Sequence, residues 1–105
     1  MLIERRAYTF RPGGMADFLE AQSMLGFDPA TRPTMGRLIA YFIALQGQND
    51  QMVHYWRFDG YDDWMARLHR NDPSREPYFQ RVRPLMLEQE SRFLQPAPIP
   101  ALTPL

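Results

Sequence analysis

The 105-residue sequence has no cysteine, which excludes disulfides and thiolate metal sites. It also has no lysine, so all twelve basic residues are arginines and neither a lysine nucleophile nor a Schiff base is available. The planar arginine fork suits carboxylates and interfaces, although the coding bias of a GC-rich genome gives the same composition. Net charge is absent as well, because twelve acidic residues balance the twelve arginines. Without a broad field to steer it toward nucleic acid or anionic lipid, the chain is expected to partner neither. The longest apolar run, Leu38 to Leu45, is far too short to cross a bilayer. The opening Met1-Leu2-Ile3-Glu4-Arg5-Arg6 puts charges where the apolar segment of a cleavable leader would sit. The expectation is a soluble, cytoplasmic protein.

The hydrophobic fraction of 45% is ordinary for a globular protein, and the length supports one domain. Ile3 to Phe10 is β-branched and aromatic and ends at Pro12-Gly13-Gly14, so it reads as a strand closed by a turn. Met15, Phe18, Leu19, Gln22 and Leu25 recur at helical spacing, with Gly26 as the expected terminator. Phe27 to Thr34 holds two prolines and reads as a loop. Gly36 to Leu45 and Gln51 to Asp59 read as strands, joined through Gln46-Gly47-Gln48-Asn49-Asp50 into an antiparallel hairpin. Tyr61, Trp64, Met65 and Leu68 mark a second helix over Tyr61 to Arg70, broken at Asn71-Asp72-Pro73. A further helical stretch starts near Pro77 and carries Tyr78, Phe79 and Val82 to Pro84. Met86 to Gln95 is the last expected strand. Residues 1–95 thus form one domain, followed by a proline-rich tail over residues 96–105. The order β-α-β-β-α-β is the ferredoxin-like α+β arrangement, a four-stranded antiparallel sheet with helices on one face.

A sheet covered on one side should alternate apolar with polar residues, and the second strand does not. Strict alternation puts Leu38, Ala40, Phe42 and Ala44 on one face and Ile39, Tyr41, Ile43 and Leu45 on the other. The third strand sets Met52, His54, Trp56 and Phe58 against Val53, Tyr55, Arg57 and Asp59. An uncovered apolar face of that kind is rare on monomers, so a symmetric homodimer that buries it is expected. The competing reading has the proline-rich tail covering that face.

Glu4, Arg6 and Tyr8 share a face of the first strand by the period of two, and His54 and Trp56 share a face of the third. These two strands are neighbours in the ferredoxin-like order, which brings the two sets together. The combination suits a small planar ligand, with His54 as a general base near neutral pH and Arg6 holding a carboxylate or enolate oxygen. Tyr8 completes the candidate catalytic set, and Trp56 and Glu4 are candidate ligand contacts. The structural alternatives are a satisfied core histidine, a Glu4–Arg6 ion pair and a core tryptophan. His69 falls at a helix end, where a cation complements the dipole. Two histidines without a carboxylate pattern give no metal site, and no cofactor is expected. No phosphate loop, nucleophile elbow or zinc motif occurs. Gly13-Gly14 reads as a plain turn and not an anion cradle.

The segment Glu4-Arg5-Arg6-Ala7-Tyr8-Thr9-Phe10-Arg11-Pro12-Gly13 resembles the opening of the NIPSNAP family, close to E-x-R-x-Y-x-x-x-P-G. Gln51-Met52-Val53-His54-Tyr55-Trp56 is similar to that family's Q-V-V-H-x-W. Arg57-Phe58-Asp59-Gly60-Tyr61 through Arg67, and Met86 to Pro96, follow its later segments. The family's asparagine four residues before the histidine is Asp50 here, and its Phe-Ser-Pro-Leu-like ending is only Ile99-Pro100-Ala101-Leu102. The resemblance implies a ferredoxin-like subunit in a dimeric α/β barrel. It implies no particular reaction, since the wider fold group includes cofactor-independent monooxygenases, isomerases and haem-handling enzymes. The expected function is binding of a small aromatic or polyketide-like ligand, with cofactor-independent monooxygenase or isomerase chemistry on it. The alternatives are a non-enzymatic dimeric interaction or sensing module and a haem-handling protein, in which His54 would be the ligand.

Overall fold

A computed structural model describes residues 1–25, 28–29, 32, 34–47, 50–70 and 72–99. The expected roles of Gly26, Gln48, Asn49 and Asn71, and the end of the tail over residues 100–105, lie outside the described residues.

The chain runs β1 (Leu2–Phe10), α1 (Gly14–Met24), β2 (Arg37–Ile43), β3 (Gln51–Phe58), α2 (Tyr61–Leu68), α3 (Glu76–Val82) and β4 (Met86–Leu94). Short 3₁₀ turns, Pro73–Arg75 and Arg83–Leu85, flank α3. Pro84 therefore ends the α-helix but sits within a continuing turn. Its fixed φ and missing N–H are tolerated in the first positions of such a turn. The four strands form one antiparallel sheet in the order β2-β3-β1-β4, the ferredoxin-like arrangement.

Two backbone features set the sheet against its helices. Gly13 adopts φ 78°, the left-handed region that glycine enters without penalty. The chain there turns from β1 into α1 in three residues. At Gly36, just before β2, a Cβ would lie 2.0 Å from the Arg57 carbonyl oxygen, so only glycine fits between the incoming chain and β3. Asp50 also has a positive φ, 56°, a conformation that asparagine and aspartate tolerate better than most residues. The aspartate that replaces the family's asparagine meets that requirement.

Burial in β3 alternates strictly, with Met52, His54, Trp56 and Phe58 inside. Met52 and the inner face of β1 are covered by α1 and α3 through one core cluster, which includes Tyr8, Phe10, Phe18, Met52, Tyr78 and Val82. A smaller cluster of Met35, Trp56 and Phe58 packs under Trp64 of α2. Asp63 ties α2 down: one carboxylate oxygen accepts the Asp59 backbone N–H at 3.0 Å, and the other pairs with Arg67 at 3.0 Å. Arg67 also donates to the Met35 carbonyl at 3.0 Å, fixing the entry to β2.

β2 departs from simple alternation. Leu38 pairs with Trp56 but Tyr41 pairs with His54, with a register shift between Leu38 and Ala40. An extra residue in one strand reverses the facing of all that follow. Leu38 and Tyr41 therefore lie together on the helix side, while Phe42, opposite Val53, lies on the uncovered side. This corrects the face assignment drawn from strict alternation.

Candidate functional site

The antiparallel pairing of β1 with β3 sets Arg6 opposite His54, Glu4 opposite Trp56 and Tyr8 opposite Met52. All five candidate residues come together on one face, and it is the face covered by helices. They then divide. Glu4 is 5% exposed, and His54 and Trp56 are fully buried. Arg6 and Tyr8 line a pocket between the sheet and α1, α3 and the loop before β2.

His54 sits in an aromatic cage. Its ring stacks on Tyr41 at 4.4 Å and 10°, and Tyr8 lies 4.9 Å away. The Trp56 indole N–H donates to His54 Nδ1, which leaves the imidazole proton on Nε2. Nε2 is buried with no hydrogen-bond partner among the described residues. Burial first, with the Arg6 and Arg32 charges adding, pushes the imidazole pKa down to about 3. These surroundings do not favour the expected general base near neutral pH: Nδ1 accepts the indole N–H, and the ring is not among the pocket's lining residues. His54 instead props the two tyrosines that do reach the pocket. The same features do not fit a haem ligand, and exposed His69 lies at the end of α2, away from this face. Among the described residues, no three histidine, aspartate or glutamate side chains gather as a metal site would require.

The expected Glu4–Arg6 ion pair does not form. Glu4 accepts a hydrogen bond from the Ser91 hydroxyl at 2.6 Å. Arg6 donates to the Met35 sulfur at 3.3 Å and lies 5.6 Å from the centre of the Tyr8 ring. Thioether sulfur is a weak acceptor, and Arg6 Nε is buried without a partner among the described residues. A guanidinium so placed has donors to spare.

The pocket measures about 270 Å³ and, among the described residues, is lined by three arginines (Arg6, Arg32, Arg83), three tyrosines (Tyr8, Tyr41, Tyr78), Gln89 and apolar side chains, with no carboxylate. Burial raises the Tyr41 and Tyr78 pKa values above the ordinary phenol value, with Tyr8 adding to the rise at Tyr41 and Tyr41 adding to the rise at Tyr78. Both hydroxyls are therefore protonated donors at any physiological pH. Sequence reasoning missed Tyr41, Tyr78, Arg32, Arg83 and Gln89. Tyr41 was hidden by the bulge in β2. Gln89 was recoverable from the pairing of β4 with β1, where it stands opposite Tyr8. Nothing in the local pattern around Arg32 marks it.

Among the described residues, no helix is long and apolar enough to cross a membrane. No curated protein sequence matches the chain. Solved structures do. An Agrobacterium tumefaciens protein is similar at 27% identity and a TM-score of 0.84, covering 98% of this chain and 100% of that one. An uncharacterised NIPSNAP domain protein from Burkholderia xenovorans is similar at 30% identity and a TM-score of 0.83, covering 99% of each chain. A structure described as an antibiotic biosynthesis monooxygenase shares the fold at 10% identity and a TM-score of 0.62, covering 93% of this chain and 100% of that one. The NIPSNAP family model matches residues 3–100, a span that contains Glu4, Arg6, Tyr8 and His54. This chain belongs to the NIPSNAP family.

Proposed function

We propose that the pocket binds a small aromatic acid, or a polyketide-like compound in its enolate form, with the negative oxygen against Arg6. One observation carries this reading: Arg6 lines the pocket with a buried Nε that has no partner among the described residues, and none of the described residues that line the pocket is a carboxylate. A buried donor without a partner costs stability that an anionic ligand would recover. Flat aromatic walls suit a planar body, and the volume lies near the lower end of small-molecule pockets, roughly 300–1,000 Å³. That favours a mono- or bicyclic ligand. The test is calorimetric titration with 2-naphthoate, for which binding is expected in the native chain and loss of at least about tenfold in Arg6→Gln. Absence of binding, or equal binding by the variant, overturns the reading.

Catalysis on such an anion is the second reading, in line with the monooxygenase or isomerase chemistry found in this fold group. The protonated tyrosines favour it, because hydroxyl donors aimed at an enolate oxygen stabilise developing charge. No group lining the pocket is placed as a base near neutrality, so the substrates would have to be acidic enough to enter as enolates. Deuterium exchange at the central carbon of acetylacetone separates the readings. Exchange accelerated by the protein and lost in Arg6→Gln supports catalysis, whereas binding without exchange leaves a non-enzymatic sensing module.

We further propose that the chain works as a homodimer through the uncovered face of the sheet. There, Phe42 is 56% exposed and meets Tyr55 edge-on at 6.2 Å, with Val53 beside them. The described tail residues 96–99 are exposed, which argues against the tail as the cover. The apolar area is narrower than the sequence pattern implied, since Arg5 and Thr9 of β1 and Glu88, Glu90 and Arg92 of β4 share this face. The mixed charges would set the register of the two copies.

A further inference from the structure

We infer that His54 is a second ligand donor: its Nε2–H takes one oxygen of a delocalised two-oxygen anion, a carboxylate or a 1,3-dicarbonyl enolate, while Arg6 Nε takes the other. This rests on the ligand reading above and says which atoms hold the anionic end. Two buried nitrogens, Arg6 Nε and His54 Nε2, have no hydrogen-bond partner among the described residues. Their positions are related. Arg6 and His54 stand opposite each other in the β1–β3 register, where the Cβ atoms of facing residues lie roughly 5 Å apart. A single buried donor left unsatisfied is costly. Two of them at one crossing of adjacent strands point to an acceptor that both share.

Trp56 fixes which nitrogen can donate. An indole nitrogen only donates, so its bond to His54 makes Nδ1 the acceptor and puts the proton on Nε2. The two nitrogens of an imidazole face nearly opposite ways, and Nε2–H therefore points away from Trp56. Of the side chains placed against the imidazole, Tyr8, Tyr41 and Arg6 all line the pocket, and Trp56 does not. The ring stands one layer behind the pocket wall, and an oxygen reaches it between Tyr8 and Tyr41. Burial keeps the imidazole uncharged at physiological pH, with a pKa of about 3. A neutral imidazole N–H polarises an oxygen without adding a second positive charge. A cationic donor beside a neutral one matches an anion whose single charge is spread over two oxygens.

The experiment follows the imidazole nitrogens by NMR in a histidine-labelled chain carrying His69→Gln, which leaves His54 as the one imidazole. Saturating 2-naphthoate should move the Nε2–H resonance downfield in both the proton and the nitrogen dimension. The nitrogen shift separates a hydrogen bond from the ring current of a bound naphthalene, which is small on the nitrogen scale. Acetylacetone, in mildly alkaline buffer where it forms its enolate, tells the two sources apart. A shift with 2-naphthoate alone assigns the donor pair to carboxylates, and a shift with both extends it to enolates. His54→Phe keeps a ring against Tyr41 but removes the donor, and its affinity for 2-naphthoate should fall about ten- to a hundredfold. Bound 2-naphthoate with an unmoved Nε2 resonance, or full affinity in a folded His54→Phe, overturns the inference while the ligand reading stands. If His54→Phe does not fold, the Nε2 resonance decides alone. Failure of 2-naphthoate to bind removes the ligand reading instead. Formate, small enough to pass the tyrosines, then tests the donor pair by itself: a shift at Nε2 supports it, and an unmoved resonance overturns it.

Discussion

His54 and Tyr41 stack face to face across the β2–β3 pair, with ring centroids 4.4 Å apart and planes 10° from parallel. Behind the stack the Trp56 indole N–H donates to His54 Nδ1. One side chain of the pair is wholly enclosed and the other lines the pocket, so the imidazole acts as the rigid backing of a ligand-facing phenol. A histidine held neutral inside a protein leaves a signature in the pH dependence of stability.

Burial holds the folded pKa of His54 at about 3, below the ordinary imidazole value of 6.5. The unfolded chain therefore takes up a proton first as pH falls. The stability contribution is complete above about pH 6.5 and is lost progressively toward pH 3, at up to about 1.4 kcal/mol per pH unit. Asp63 and Asp72 have lowered carboxylate pKa values, held down by hydrogen bonds from the Asp59 N–H and from Ser74 respectively. Their contributions fade only at lower pH, below the window in which His54 begins to act. Urea unfolding should show the native chain losing about 2 kcal/mol between pH 6.5 and 5. His54→Phe, which keeps a ring against Tyr41, should lose almost nothing over that range. A flat native profile would contradict the buried neutral imidazole.

Tyr41→Phe keeps the stack and removes the hydroxyl. Stability should change by less than about 1 kcal/mol, since the hydroxyl has no hydrogen-bond partner among the described residues, whereas 2-naphthoate binding should weaken by about ten- to a hundredfold, the worth of one hydrogen bond to a charged group. Arg6→Lys gives a complementary result. The charge remains but the planar fork does not, so affinity should fall between those of the native chain and Arg6→Gln. If lysine restored full binding, simple charge and not fork geometry would explain the site.

The sheet order and the meeting of Arg6, Tyr8 and His54 were legible in the sequence because both rest on period-two alternation within β1 and β3, where no irregularity intervenes. The facing of β2 was not legible. A bulge near Ile39 reverses alternation from there on, and the residues around it, Leu38-Ile39-Ala40, are all apolar, so nothing in their pattern marks the extra residue. That reversal placed Tyr41 on the wrong side and concealed a wall of the pocket. The surroundings of His54 were not legible for a different reason. Its position was right, but a neutral buried imidazole and a solvent-accessible base look alike in sequence, and only the cage of Tyr8, Tyr41 and Trp56 separates them.

Gly36 offers a test of the packing at the start of β2. The missing Cβ would lie 2.0 Å from the Arg57 carbonyl oxygen and 3.0 Å from the Phe58 ring. The backbone of β3 cannot retreat without breaking its pairing with β1. Gly36→Ala should therefore cost at least about 2 kcal/mol, in the upper part of the range for overpacking, and lower the thermal midpoint by on the order of 10 °C for a chain of this size. A substitution tolerated within 2 °C in a thermal melt, which is about the scale of a surface change, would mean that the strand entry is looser than described.

The dimer makes the last prediction. Phe42 and Val53 are opposite one another on the uncovered face, and neither belongs to the fully buried core. Placing a charge there should leave each subunit folded and penalise only a face-to-face partner, where twofold symmetry would bring two such charges close together. Sedimentation should find the native chain at twice its 12.4 kDa mass at micromolar concentration. Phe42→Asp/Val53→Asp should sediment as a monomer with an unchanged far-ultraviolet spectrum. Because Arg6, Tyr8 and the tyrosine walls lie on the opposite side of the sheet, the monomeric variant should still bind 2-naphthoate. A native monomer would remove the dimer. A variant that loses both assembly and binding would show that the second subunit shapes the pocket through the sheet.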